Sequence, residues 1–331
     1  MTGREQGKPP DDCPGGPRRL GPGREFDRIL QLAARLGPLA SGIGDDCAAI
    51  PAGDGQLVVS VDLAVEGVHF RRDWLTPEEI GWRATAAALS DLAADGARPT
   101  GVLTSIGLPR DTPEADLLGL ASGIGAAVRS AGARLLGGDL TGSDLWVIDV
   151  TVLGHAPRRV TRDGAVPGDS LWVTGTLGGA RAALQAWQDG QEPAPDARAA
   201  FAHPVPRWET GLALAAAGAT AMIDLSDGLA GDAAHLAAAS DCGMVIELER
   251  LPVAPAARAL AGAAEAPAFA ARGGEDYELL VAMPPGFAGP RSLATATRVP
   301  LTLIGWVESG TGAKLLLNGA PVVLRGYDHF G

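Results

Sequence analysis

The sequence predicts an α/β chain built as two domains with mixed sheets, on three observations. Helical and strand-like hydrophobic patterns alternate in both halves of the chain. Pro157 and the run Gly164-Ala165-Val166-Pro167-Gly168-Asp169 interrupt that alternation midway. The 331 residues are 46% hydrophobic and 20% charged, which is enough for two cores. The expected division is a disordered tail over residues 1–23, an N-terminal domain over 24–157 and a C-terminal domain over 158–331.

Each element follows from its local pattern. Residues 1–23 are rich in Pro, Gly and charge and have little to bury. Residues 26–36 read Phe-x-x-Ile-Leu-x-Leu-x-x-x-Leu, with helical spacing. Residues 57–62 form a β-branched run that reads as a strand. Thr76-Pro77-Glu78-Glu79 is a capping box with Pro at the first helical position, and it opens a helix to about Ala94. Strand 102–108, helix 114–131 and strand 145–153 complete the first half. Strand 170–174, helices 178–188 and 208–217, strand 222–223 and helix 229–240 follow, then strands 244–248, 278–282 and 301–307. The sequence shows no short-period repeat.

Composition excludes several classes of function. Lys+Arg 27 against Asp+Glu 39 gives a net charge of −12, which disfavours nucleic acid or an anionic membrane as partner. No apolar run reaches membrane-spanning length, and the first residues lack a signal-peptide core. Cys13, Cys47 and Cys242 show neither metal-ligand spacing nor a paired framework, so a cytoplasmic protein is expected. The only lysines are Lys8 and Lys314, and no G-x-x-x-x-G-K-[ST] loop exists. Any polyphosphate must therefore be balanced by arginines, backbone amides and metal ions.

The most informative feature is a set of six segments rich in Asp and Gly: Gly42-Ile43-Gly44-Asp45-Asp46-Cys47, Ser60-Val61-Asp62, Leu89-Ser90-Asp91-Leu92, Gly137-Gly138-Asp139, Ile223-Asp224-Leu225-Ser226-Asp227-Gly228 and Gly273-Gly274-Glu275-Asp276-Tyr277. A single Asp-Gly pair usually makes only a turn. Carboxylates repeated where apolar runs end, beside glycines, suit several Mg2+ ions and a polyphosphate. Asp91 is the most telling, because it lies inside an Ala/Leu-rich helical stretch where an ionised carboxylate needs a partner. Asp227 and Ser226 fit an N-cap as well as a ligand role. His69, just after the Asp62 loop, is a candidate ligand contact, whereas His155, His203 and His235 read as structural or exposed. Aromatics in Gly326-Tyr327-Asp328-His329-Phe330 suggest that this segment docks against something.

The order and wording of these motifs resemble the thiamine-monophosphate kinase family. The shared features are G-I-G-D-D-C-A, S-x-D, E-G-x-H-F, L-S-D-L-A-A-x-G-A-x-P, G-G-D, T-R-x-G-A-x-P-G-D, I-D-L-S-D-G-L, G-G-E-D-Y-E-L and G-Y-D-H-F, over about residues 26–330. The resemblance implies the two-domain aminoimidazole-ribonucleotide synthetase-like fold, with the N-terminal sheet forming a barrel in a homodimer. It implies Mg2+ held by Asp46, Asp62, Asp91, Asp139 and Asp224, with Ser60 helping, the Val61 backbone contributing and Asp227 holding a further ion. It places ATP on Gly138, Asp139, Arg162 and Ser226, and thiamine monophosphate on His69, Glu275 and Tyr327. Two positions depart from the family pattern: Val61 replaces a usual Thr, and Asp95 replaces a common Met one turn from Asp91.

The reaction so implied is phosphorylation of thiamine monophosphate by ATP, giving thiamine diphosphate by direct in-line transfer. A phosphate monoester has a second pKa of roughly 6 and is mostly dianionic at neutral pH, so no catalytic general base is expected. The competing readings are another ATP-using superfamily member and a non-catalytic nucleotide-binding regulator. The first lacks support in the chain, since no functional C-terminal cysteine and no lysine-bearing glycine-rich loop are present. The second is disfavoured by retention of the main acidic positions.

Overall fold

The computed structural model describes residues 21–36 and 44–328. The expected tail falls mostly outside the described residues, as do Gly42, Ile43, His329 and Phe330. The first half runs α1 (Arg24–Leu36), β1 (Ala48–Pro51), β2 (Gln56–Val65), α2 (Pro77–Ala94), β3 (Arg98–Leu108), α3 (Glu114–Ser130), β4 (Arg134–Gly142) and β5 (Val147–Ala156). Its strands form one sheet in the order β1-β2-β5-β3-β4, antiparallel except for the parallel β3/β4 pair.

The second half runs β6 (Ser170–Thr174), α4 (Gly179–Gln188), α5 (Pro195–Ala202), α6 (Trp208–Ala216), β7 (Ala221–Asp224) and α7 (Leu229–Ala239). It continues with β8 (Gly243–Glu247), α8 (Pro255–Ala271), β9 (Leu279–Met283), α9 (Pro290–Thr297), β10 (Leu301–Glu308), β11 (Gly312–Leu317) and β12 (Ala320–Val322). The second sheet has the order β12-β11-β8-β10-β6-β9-β7 and is also mixed, because β8 and β11 run parallel.

The capping box predicted at Thr76 forms: Glu79 N–H donates to Thr76 Oγ1 at 3.3 Å, and Thr76 N–H donates to a Glu79 carboxylate oxygen at 2.8 Å. The helix it starts, α2, is buried on nearly every side. It packs against β2 and β5 on one flank, against α3, and against α6 and β7 of the second half. α2 and α3 approach so closely that only glycine fits at the crossing. A Cβ on Gly123 would lie 1.9 Å from Glu78 O, and one on Gly81 would lie 2.2 Å from Leu120 O.

Several elements differ from the expectation, among them β1, α9, β11 and β12, which no local pattern announced. Gly137-Gly138-Asp139, where no strand is expected, is part of β4, whose residues are all exposed. The strand is unmarked in the sequence because its pairing comes from β3, and a bulge opposite Val102 and Leu103 disturbs its alternation. Helices α5 and α8 also lie where no helix is expected. Both begin with Pro and are rich in Ala, so they carry little amphipathic signal.

Gly123→Ala is expected to lower stability by about 2 kcal/mol through overpacking of the α2/α3 crossing, measured by urea denaturation. An unchanged midpoint would show that the two helices can separate at little cost.

Candidate active site

Three carboxylates converge where α2 passes between the two halves. Oxygens of Asp46, Asp91 and Asp224 lie within 4.8 Å of one another. Asp46 comes from the turn before β1, Asp91 from the last turns of α2 and Asp224 from the C-terminal end of β7. β2 adds Ser60, whose hydroxyl donates to Asp91 Oδ2 at 2.5 Å, and Asp62, two residues on along the same face. Val61 points to the other face, where it is 58% exposed, so its side chain is turned away from this cluster.

The electrostatics of the group are unfavourable as it stands. Burial, then Asp62, Asp224 and Asp46, push the Asp91 carboxyl well above its ordinary value. Burial and Asp46 push Asp224 up in the same way. For Asp62, burial, then Glu275, Asp149 and Asp46, raise the carboxyl from 3.8 to about 6. One cation offsets part of this. Arg162 grips Asp46 with two hydrogen bonds of 2.7 and 2.5 Å, and this carboxylate holds its guanidinium above the ordinary value against the effect of burial.

A second buried pair stands beside it. Asp95 at the end of α2 accepts from Arg159 Nε at 2.6 Å, and the same guanidinium reaches Asp45 at 3.2 Å and the carbonyl of Cys47. The extra acid one turn after Asp91 is therefore paired, yet burial, then Asp45, still push its carboxyl well above the ordinary value. Arg159 also fixes the turn that carries Asp46.

A cavity of about 890 Å3 opens next to the carboxylates and is lined by Asp62, His69, Asp91, Ser226, Glu275 and Tyr327 among others. Its rear wall is aromatic: Trp74 and Trp187 stack at 5.2 Å with planes 5° apart, and Phe201 meets Trp187 edge-on at 5.3 Å. Arg83, buried on α2, joins three sides. It donates to the carbonyls of His69 and Phe201 at 3.4 and 2.6 Å and pairs with Glu275 at 2.5 Å. Glu275 and Tyr277 hold left-handed backbone, φ 71° and 49°, which is costly for non-glycine residues and collects at functional sites. The Tyr277 hydroxyl donates to Glu275 at 2.6 Å. The C-terminal segment reaches the same place, with Tyr327 N–H donating to Asp227 O at 2.9 Å.

Most residues singled out in the sequence are thus brought together: Asp46, Ser60, Asp62, Asp91 and Asp224 at the cluster, and His69, Ser226, Asp227, Glu275 and Tyr327 around the cavity. Gly138 and Asp139 stand on β4 at the sheet edge, outside both groups, and Arg162 touches the cluster but not the cavity. Neither Ser226 nor Asp227 caps α7, whose N-cap is Gly228 with no side-chain cap bond. Sequence reasoning missed Arg83, Trp74, Trp187 and Arg159, because their partners lie far along the chain. Only the aromatic content around residue 74 offered a signal.

Residues 44–156 match the family described as AIR synthase related protein, N-terminal domain, and residues 166–318 match its C-terminal domain. The thiamine-monophosphate kinase of Mycobacterium tuberculosis (strain CDC 1551 / Oshkosh) is 37% identical over 322 residues, covering 95% of this chain and 93% of that protein. This chain belongs to the thiamine-monophosphate kinase family. The Escherichia coli (strain K12) thiamine-monophosphate kinase is 38% identical over 320 residues, covering 93% and 96% of the two chains. Among solved structures, AaThiL complexed with AMPPCP and TMP superposes with a TM-score of 0.84 at 32% identity, covering 92% of this chain and 97% of that one. The two-domain fold with mixed sheets is the fold of this kinase family.

A carboxyl whose pKa is raised in the folded protein is stabilising while protonated and becomes destabilising as pH rises from the unfolded value to the folded one. In the presence of chelator, Asp62 should therefore cost stability as pH climbs from about 4 through about 6. Asp62→Asn should be the more stable protein at pH 7.5, with the advantage fading toward pH 4, as read from denaturant midpoints. An equal difference at both pH values would contradict the raised carboxyl.

Proposed function

We infer that this chain transfers the terminal phosphoryl group of ATP to thiamine monophosphate, giving ADP and thiamine diphosphate. The observation that carries the reading is the convergence of Asp46, Asp91 and Asp224 beside a cavity with an aromatic wall, in a member of this kinase family. The relative solved with the ATP analogue AMPPCP and with TMP supports both substrates.

The donor set fits Mg2+. It consists of carboxylate and hydroxyl oxygens without sulfur or imidazole, crowded enough to repel one another, which is what a small hard cation relieves. We propose Asp46, Asp62, Asp91 and Asp224 as its holders, with Ser60 orienting Asp91 and with Asp139, Asp227 and the Val61 backbone completing further ion sites. When bound, such ions shield the phosphates and neutralise charge on the group in transfer.

The remaining roles belong to the chain. Gly138, Asp139, Arg162 and Ser226 are the proposed ATP contacts. Arg162 is already desolvated and charged, so exchanging Asp46 for a phosphate oxygen supplies a positive group without new ordering. His69, Glu275 and Tyr327 are the proposed contacts to thiamine monophosphate, with Arg83 holding the first two at a fixed separation. The acceptor is an anionic phosphate at neutral pH, so the attacking oxygen needs no general base, and positioning plus charge compensation account for the catalysis.

A cytoplasmic homodimer belongs to the same proposal. The outward face of the first sheet exposes Val61, Leu63 and Leu136, each more than half accessible, which is an apolar surface suited to a second copy. Among the described residues no helix is long and apolar enough to cross a membrane.

ADP release from Mg-ATP should appear with thiamine monophosphate and not with free thiamine or with no acceptor. Thiamine diphosphate should form in step, and release without the monophosphate would refute the reading. Asp91→Asn should lose about 100-fold or more in kcat and require more Mg2+, as expected when one group that compensates transition-state charge is removed. Near-normal turnover at ordinary Mg2+ would remove Asp91 from the site. Tyr327→Ala should raise KM for thiamine monophosphate and leave that for ATP unchanged; equal effects on both would place the tyrosine elsewhere.

A further inference from the structure

The cavity beside the carboxylates contains four arginines of two kinds. Arg83 is neutralised by Glu275 at 2.5 Å, and Arg71 by Asp73 at 2.6 Å. Arg181, in the first turns of α4, and Arg272, at the end of α8, have no ion-pair partner among the described residues. They stand against each other instead: Arg181 Nη1 donates to the Arg272 carbonyl at 3.0 Å, and its guanidinium lies 4.7 Å from the Phe269 ring. Arg181 Nε is buried and has no hydrogen-bond partner. Burial, then the neighbouring Arg272, hold the Arg181 guanidinium below its ordinary value. Two uncompensated cations side by side in a chain of net charge −12 are costly unless an anion joins them.

Their position says which anion. A Cβ on Gly273 would lie 2.9 Å from Arg181 Cβ, so only glycine lets the segment after Arg272 lie flush against Arg181. That segment in turn rests on the Asp224–Gly228 turn, since a Cβ on Gly274 would lie 2.5 Å from Ser226 O and one on Gly228 would lie 2.8 Å from Gly273 O. The arginine pair is thereby fixed to the turn that leaves Asp224, one of the converging carboxylates. It also shares its cavity with the stacked Trp74–Trp187 wall, His69 and Tyr327, while Gly138, Asp139 and Arg162 do not line that space.

We propose that Arg181 and Arg272 form a phosphate-binding pair on the acceptor side of the cavity, holding the phosphate of a monoester whose aromatic part faces Trp74 and Trp187. The proposal rests on the acceptor reading above and extends it to two residues that make this chain discriminate phosphorylated from unphosphorylated thiamine.

The experiment uses the full chain with Arg181→Gln, Arg272→Gln and Arg181→Lys. It measures KM for both substrates and calorimetric affinities for thiamine monophosphate and free thiamine, with thermal melts confirming that each variant is folded. Losing a charge-assisted hydrogen bond should weaken thiamine monophosphate about tenfold or more in each Gln variant, and Lys should restore part of it. KM for ATP and the affinity for unphosphorylated thiamine should stay as in wild type. Arg272 is exposed, so its variant should fold even if an Arg181 variant does not. A rise in KM for ATP alone would assign the pair to the nucleotide and overturn the proposal. Equal weakening of thiamine and its monophosphate, or no change in either, would overturn it as well. If wild type fails to turn over thiamine monophosphate, the functional reading fails by itself. Titration with inorganic pyrophosphate then tests the pair separately: binding lost in the Gln variants sustains it, and binding absent in wild type or unchanged in the variants overturns it.

Discussion

The structure depends on one helix that must be buried on almost every side and still present a carboxylate. α2 packs against the first sheet, α3, α6 and β7, and its small residues allow all of these neighbours to approach. Helices that are apolar all round normally belong to the middle of a large core. Here the middle of the molecule is also where Asp91 stands, so the same packing that excludes water from the helix confines the carboxylate cluster. The helix start is fixed independently: the capping box at Thr76 is bound in turn by Arg198 of α5, which pairs with Glu79 and donates to the Trp74 carbonyl at 3.1 Å. A local signal and a long-range one thus fix the same end of α2, and through its length the position of Asp91.

The charge pattern around that helix is graded. Asp46 and Asp45 are each held by an arginine from the segment after β5, Arg162 and Arg159, and Asp95 shares the second of these. Asp62, Asp91 and Asp224, and Asp95 despite Arg159, are left with more repulsion than compensation. The compensated acids hold the turn in place, while the uncompensated ones keep an affinity for added positive charge. Isolated buried carboxylates would be neutralised by protonation, and a cluster near a cavity can instead be neutralised by a ligand.

Most of this was legible in the sequence wherever the signal was local. The 3.6-residue patterns of α2 and α3, the β-branched run of β2 and the Asp-Gly punctuation of the site are all properties of contiguous residues, and each is found within a few residues of its expected place. β4 was illegible because Arg134–Gly142 carries its glycines inside the strand and takes its register from β3. α5 and α8 were illegible because alanine has no preferred face. At the site, residue type betrayed the acids but not their order of compensation. Nothing near Arg83 in the chain indicates Glu275, and nothing near Arg159 indicates Asp45, since those partners meet only in the finished fold. The glycine at position 138 also has a packing reason that no local signal shows: a Cβ on Gly138 would lie 2.0 Å from Thr104 O on the neighbouring strand.

The two ends of the described chain meet, for Arg24 N–H donates to Asp328 Oδ2 at 2.8 Å across 304 positions of sequence. Contacts of such separation are the slowest to form, because the whole intervening chain must be ordered before they gain anything. During synthesis the acids of α2 and β2 emerge well before Arg162 and Asp224, and domains generally fold as they appear. The first half therefore emerges before Arg159 and Arg162, the arginines that hold Asp45, Asp95 and Asp46 in the finished fold. The cavity, which needs Glu275 and Tyr327, is the last part of the molecule to exist. A chain stopped short of Glu275 and Tyr327 lacks two of the residues that line the cavity, and one stopped before α6 and β7 lacks part of the packing that buries α2.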